Sequence, residues 1–313
     1  MRRSAFTLME LVFVILIMGI LSTIGVDIFV RIYSTYATSQ AKNRIHIDTA
    51  LAIEKIAHRL EFRIKDSLII GNIATDTFNT LALAPTPLPD RFSFEWIGYD
   101  NDSLLGMGVT ELDDTIWPAV NGFIDLDSSS STLLVTTGSN LDNASEMVYY
   151  LSGGDINLTD CDEGNNSAVL IFPDATGSVA EYGWYGNNPA RVHPVCHNDG
   201  NITTFNVPTG VRDFGFGGGT EVFERYTFSY SAYALELNAT SGELWLYTNY
   251  QPWNGERYTD GNASLLMENV STFQLRQVGD ILQLQLCIET SSQFRLGWDD
   301  NNTLGYCKDK VIY

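Results

Sequence analysis

The residues that could carry chemistry in this 313-residue chain are few: four cysteines, four histidines and scattered acids. His193, Cys196 and His197 stand together in the run HPVCH. The run is similar to a haem-attachment motif, but that motif needs a cysteine where His193 stands. As zinc ligands, three groups so close together chelate poorly without a fourth, so a disulfide is the better use of Cys196. The glycine-rich FGFGGGT (214–220) has neither the following helix nor the lysine of a phosphate loop. The acid pairs at 113–114 and 299–300 are adjacent in sequence, so their side chains need not converge on a substrate. The loops DCDEGNN (160–166) and WDDNNT (298–303) offer the oxygen ligands that calcium takes, without EF-hand spacing. Trp245, Tyr247, Tyr250, Trp253 and Tyr258 suit either a sugar-stacking surface or a strand core, and their alternation favours core. The expectation is a protein that is not an enzyme and has no cofactor, with calcium the one ion its loops could take.

One acid stands where its charge is costly. Leu11 to Val26 carries no charge, and Glu10 sits at the head of that run, behind Arg2, Arg3, Ser4 and Ala5. The apolar stretch is roughly 20 residues long counted from Phe6, enough to cross a bilayer. A carboxylate at bilayer depth costs about 2.5–3.5 kcal/mol on insertion scales, so a plain anchor does not explain it. A secretory signal would place its small residues after the apolar run, whereas Ser4 and Ala5 precede it.

Residues 2–22 resemble the prepilin leader of type IV pilins and type II secretion pseudopilins. In that family a membrane peptidase cuts a short basic leader after a small residue. The new N-terminal residue, usually phenylalanine, is N-methylated, and the fifth mature residue is glutamate. The resemblance implies cleavage between Ala5 and Phe6, methylation of Phe6, and an assembly role for Glu10. The residue before the cut is usually glycine, and here it is Ala5. The carboxylate would neutralise the new amine of a neighbouring subunit and so set the axial register. The implied partners are other pilin or pseudopilin subunits, the prepilin peptidase and the bacterial inner membrane, with a single pass and an exported periplasmic head. Some pseudopilins also hold calcium in acidic loops.

The elements that must position these residues follow from periodicity. Ala50, Ile53, Ala57, Leu60, Ile64 and Leu68 recur at spacings of three and four, which predicts an amphipathic helix continuous with the apolar run. One helix over 6–70 would be about 95 Å long at 1.5 Å per residue. His46 and His58 fall on it without companion ligands. Beyond Gly71 the texture predicts strands at 91–98, 132–137, 146–151, 168–172, 226–237, 243–250, 270–278 and 281–289. The expected fold class is α+β: a long N-terminal helix, membrane-embedded in its first half, packed on an antiparallel sheet with an inserted β-rich lobe. The expected divisions are a leader (1–5), a stem (6–70, with 6–30 spanning the membrane), an acidic β-rich region and possible second lobe (71–220), and an antiparallel sheet with a stapled tail (221–313). Within the second of these, 99–220 reads as the part extra to the core. The hairpins and closing strand of the last region are loosely similar to large minor pilins and minor pseudopilins.

Charge is uneven. Residues 1–65 hold nine of the 18 basic residues, and the remainder carries nine basic and 33 acidic residues, a net of −24. Such a surface repels nucleic acid. Cys161, Cys196, Cys287 and Cys307 allow three pairings. Closeness in sequence favours Cys161–Cys196 and Cys287–Cys307, in an oxidising compartment. The head carries nine Asn-x-Ser/Thr sequons. Six of them, at Asn157, Asn165, Asn201, Asn238, Asn262 and Asn301, have an acid two residues earlier, whereas acid content alone predicts about one. The excess resembles the extended acceptor sequence of bacterial N-oligosaccharyltransferases, and acidic, Asn-rich turns alone would also raise both counts. Glycans are expected at several of these six, and at fewer of Asn101, Asn143 and Asn269. The functional expectation is a minor pilin or pseudopilin that primes or caps a filament. The alternatives are a pilus-tip adhesin and a membrane-tethered exported enzyme or ligand-binding domain.

Overall fold

The computed structural model describes residues 7–83, 91–109, 116–162, 167–198, 200–215, 222–291 and 303–313. The expectations for Ala5, Phe6, Asn165, Asn301 and the acid pairs at 113–114 and 299–300 fall outside these residues. So does most of the 298–303 loop.

Helix α1 runs from Leu8 to Glu61. Its 54 residues span about 80 Å, uninterrupted because no proline breaks the hydrogen-bond ladder. Sequence periodicity predicts a helix continuing to residue 70, and the structure ends it nine residues earlier. The neighbouring strand claims the backbone there. The Ile64 N–H donates to the Ile97 carbonyl at 2.8 Å, and the Ser67 hydroxyl accepts from the Ile97 N–H at 2.9 Å. Arg63 folds back, donating to the carbonyls of Leu60 at 2.8 Å and Asp280 at 2.6 Å. The β-branched pair Ile69–Ile70 then enters a strand.

Three strands follow: β1 (Ile69–Asn72), β2 (Thr77–Thr80) and β3 (Arg91–Gly98). An inserted lobe contains α2 (Asn101–Leu105), β4 (Met107–Val109), β5 (Ile116–Pro118), β6 (Leu133–Val135), α3 (Leu141–Leu151), β7 (Ala168–Ile171), β8 (His193–Val195), β9 (Thr204–Asn206) and β10 (Thr227–Ser229). The chain closes with β11 (Ser231–Asn238), β12 (Glu243–Tyr250), β13 (Asn262–Met267), β14 (Val270–Val278), β15 (Ile281–Ser291) and β16 (Thr303–Ile312). The fold is α+β, with a six-stranded sheet in the order β13-β12-β11-β3-β1-β2 and a three-stranded sheet β14-β15-β16. All pairings in both are antiparallel.

Both sheets turn apolar faces to the last third of α1. Ile53, Ile56 and Leu60 are fully buried in one cluster with Phe94 and Trp96 of β3 and with Leu282, Leu284 and Leu286 of β15. Each such side chain contributes about 1.5–3 kcal/mol by leaving water. In β15 the leucines alternate with Gln283, Gln285 and Cys287, so one face is apolar and the other polar. In β3 burial does not alternate. Phe92, Phe94 and Trp96 face the helix cluster, while Ile97 joins a second cluster with Tyr182 and Trp184 of the lobe. The six-stranded sheet is therefore covered on both faces.

The lobe leaves the sheet after Gly98 and returns at Ser231, and these two residues are paired partners in adjacent strands. It has its own core around Leu134, Leu141, Val148, Leu170 and Phe205. The part expected to be extra to the core, 99–220, lies within this insert, while the expected division at 71 falls inside β1. Residues 69–98 run in the same sheet as 231–267, which makes 99–230 the inserted part. A second expectation is also corrected: residues 146–151 are not a strand but the end of α3. Asn140 caps that helix, its Oδ1 accepting the Asn143 N–H, and Leu141, Ala144, Ser145 and Val148 form its buried stripe.

Candidate functional site

The first element to consider is the start of α1. Thr7 is the N-cap: its hydroxyl accepts the Glu10 N–H at 3.4 Å, and the Glu10 carboxylate accepts the Thr7 N–H at 3.2 Å. This reciprocal pair is a capping box, which satisfies two of the orphan donors at a helix start. Sequence reasoning missed it, although Thr7-x-x-Glu10 is the spacing that defines the motif. From Thr7 to Tyr33 every residue is exposed, including Phe13, Ile17, Ile24 and Phe29. Among the described residues this is the one helix long and apolar enough to cross a membrane. Nothing among the described residues covers its first half.

The cysteines pair as Cys161–Cys196 within the lobe and Cys287–Cys307 across β15 and β16. Cys287 and Cys307 are directly opposed in the strand register, on the face away from α1. The inner face of β16 reaches the stem instead. Lys310 donates to Glu54 at 2.9 Å, and the Tyr306 ring lies 3.8 Å from that of His46. Lys310 holds the Glu54 carboxyl below the usual carboxylate range, chiefly by that hydrogen bond. His58 lies near Glu61 and against the Phe62 ring.

The HPVCH run is brought together as packing, not as a ligand set. His193 is buried against Phe172 and Phe214, Cys196 is in its disulfide, and His197 Nε2 meets Asp142 Oδ1 at 2.7 Å. Among the described residues no group of three or more His, Cys, Asp or Glu could hold a metal ion. Tyr250, Trp253 and Tyr258 are buried in the cluster beneath the lobe, while Trp245 and Tyr247 are half-buried.

Sequence reasoning also missed a buried acid. Glu95, in the middle of β3, is 2% exposed on the lobe-facing side of the sheet. It accepts hydrogen bonds from Ser93 Oγ at 2.7 Å, Tyr185 Oη at 2.9 Å and Tyr250 Oη at 3.0 Å. Burial pushes its carboxyl above the usual range, and the three hydroxyl bonds pull it part of the way back. Arg257 stacks 3.7 Å over the Tyr185 ring and pairs with Asp76. Gly71 makes room for the cluster, since a Cβ there would meet Tyr185 Oη at 2.2 Å and Ser93 Oγ at 2.5 Å. Among the described residues these three hydroxyls are the hydrogen-bond partners of Glu95, and through Tyr185 they clamp the lobe to the sheet. No family model, curated protein or solved structure matches the chain.

Proposed function

We propose that the protein is a minor type IV pilin or type II secretion pseudopilin, a structural subunit that primes or caps a filament and performs no catalysis. The observation that carries this reading is the division of α1. Its first 26 residues, uncharged from Leu11 to Val26, are exposed and uncovered by any other described residue, whereas its last third is the spine of the head core. An apolar rod of that size must be covered by lipid, by the stems of other subunits, or by both in turn. A head built around the far end of the same rigid helix would be carried with the stem from the inner membrane into a filament. The leader resemblance, the disulfides and the acidic head support an exported location.

The test is made on protein from its native membrane. The N-terminal peptide should begin at a methylated Phe6, and a chain that retains Met1 sinks the pilin reading. Two substitutions then separate the roles of Glu10. Glu10→Gln keeps an acceptor for the Thr7 N–H and removes the charge; Glu10→Leu removes both. Both variants should insert in the membrane, and both should fail to enter filaments. Normal incorporation of Glu10→Gln would show that the charge does not set register.

A further inference from the structure

Nine sequons are too many for the assembly reading to absorb, and the structure sorts them by whether a carboxamide is available. Asn143 lies within α3 with its Nδ2 buried and without an acceptor, so no sugar fits there. Asn238 is half-buried at the end of β11. The acid before it, Glu236, is 5% exposed, ion-paired with Arg91 at 2.7 Å and bonded by the Tyr247 hydroxyl at 3.0 Å. An enzyme cannot read that acid on the folded chain. Asn262 is paired with Thr248 in β13, and its acid Asp260 caps the Arg257 N–H at 2.8 Å.

Asn157 and Asn201 differ from these. Both are exposed, and both lie in turns outside any strand or helix. The two turns adjoin: the His197 N–H donates to the Leu158 carbonyl at 2.7 Å, and the Cys161–Cys196 disulfide ties the same two segments. In each sequon the asparagine Oδ1 accepts from both the hydroxyl and the N–H of its own threonine, at 2.8 and 3.2 Å from Thr159 and at 3.1 and 3.3 Å from Thr203. The Nδ2 of each asparagine has no hydrogen-bond partner among the described residues. The Leu158 side chain is fully buried, so the turn is anchored by its middle residue while the asparagine and threonine face out. Asp155, two residues before Asn157, is exposed; one of its oxygens accepts from Asn249 Nδ2 and the other has no hydrogen-bond partner among the described residues.

We propose that Asn157 and Asn201 form a paired N-glycosylation site on the outer surface of the lobe. The donor class is an oligosaccharide joined through its anomeric carbon to a lipid diphosphate. In the transfer, Asn Nδ2 forms a bond to the anomeric carbon and the carbon–oxygen bond to the diphosphate breaks. The diphosphate leaves with the electron pair, and one Nδ2 proton passes to a base of the transferase. No oxidant or reductant is needed. The inference requires export of the head but not membership of a filament.

Glycopeptide mapping of the full chain from its native membrane tests it. Peptides holding Asn157 and Asn201 should carry glycan, and the Asn143 peptide should be bare. Asn157→Gln and Thr159→Val should each remove one glycan mass from the intact protein, and Thr159→Ser should retain it. Asp155→Ala should lower occupancy at Asn157 severalfold without changing Asn201. A bare Asn157 or Asn201 in the native protein overturns the proposal, as does full occupancy at Asn143. The N-terminal peptide in the same digest reports leader processing, so failure of the glycan proposal and failure of the pilin reading are read separately.

Discussion

Replacement of Glu95 tests whether the lobe is clamped to the sheet by a buried acid. Among the described residues Glu95 is contacted by three hydroxyl donors and no cation. Its native proton affinity is therefore raised, with desolvation the largest cause. The sign of the pH effect follows. A carboxyl with a raised native pKa gives stability that is fully present below its unfolded value, near 4.3, and is lost as pH climbs through its native value. Each tenfold rise in native proton affinity corresponds to about 1.4 kcal/mol lost once pH has risen through the native value. Glu95→Gln should abolish this dependence. It is also sterically mild. The Tyr250 hydroxyl already lies 3.2 Å from the Tyr233 carbonyl, so it can donate there and accept from the new amide. Glu95→Leu removes every acceptor and strands Ser93 and the half-buried Tyr185. At about 1–3 kcal/mol per stranded group, the cost is about 2–6 kcal/mol. The assay is urea unfolding of the full chain in detergent, followed by tryptophan fluorescence between pH 4 and 8. Asp100 is also raised by burial and adds to the wild-type slope, so the quantity of interest is the difference from Glu95→Gln. A difference that stays constant with pH, or a Glu95→Leu variant as stable as wild type, would refute the reasoning.

Three further outcomes are expected. Gly71→Ala places a methyl group within the Glu95 cluster and should cost about 1–3 kcal/mol, measured in the same unfolding assay. Cys287→Ser should cost about 2–4 kcal/mol by freeing the tail strand, and thiol titration of the denatured wild type without reductant should find no free thiol. Leu60→Ala should cost about 2–5 kcal/mol, because Leu60 is fully buried where the helix meets both sheets, whereas Leu51→Ala on the exposed side should leave head stability within about 0.5 kcal/mol.

Much of this architecture is legible in local patterns. The stem stripe at Ile53, Ala57 and Leu60 and the alternation Leu282–Leu284–Leu286 each need only one face of one element. The strands at 91–98 and 243–250 match the structure to the residue. The errors arise where a tertiary partner decides. Residues 147–151 have strand-forming side chains, and their helical period shows only when Leu141 and Ala144 are included. Helix α1 stops at Glu61 because Ile97 takes the next backbone groups, which is a contact 33 residues away. Strand β13 escapes the sequence pattern because most of its residues are exposed at a sheet edge, without an apolar alternation. Glu95 was invisible as a site because a lone glutamate in FSFEWIG reads as the solvent face of a strand. Only the lobe inserted between β3 and β11 turns that face inward.

The capping box gives Glu10 a role beside the one that the leader resemblance implies. Its capping box explains a hydrogen-bonding side chain at that position without any partner subunit. A cap contributes about 1 kcal/mol, and an acid at a helix N-terminus adds about 0.3–1 kcal/mol from the helix dipole. A charge held at bilayer or filament depth costs about 2.5–3.5 kcal/mol. Capping therefore leaves a deficit of about 0.5–2 kcal/mol once the stem end is surrounded by apolar material. Glutamine would cap at the same spacing without that deficit. The charge itself needs a positive partner, and among the described residues the nearest basic one is Arg31, about 30 Å along the helix at 1.5 Å per residue. The free amine that leader cleavage would create on a neighbouring stem is a partner of the right sign and depth. This is why incorporation of Glu10→Gln, which keeps the cap and loses the charge, separates the two roles where Glu10→Leu cannot.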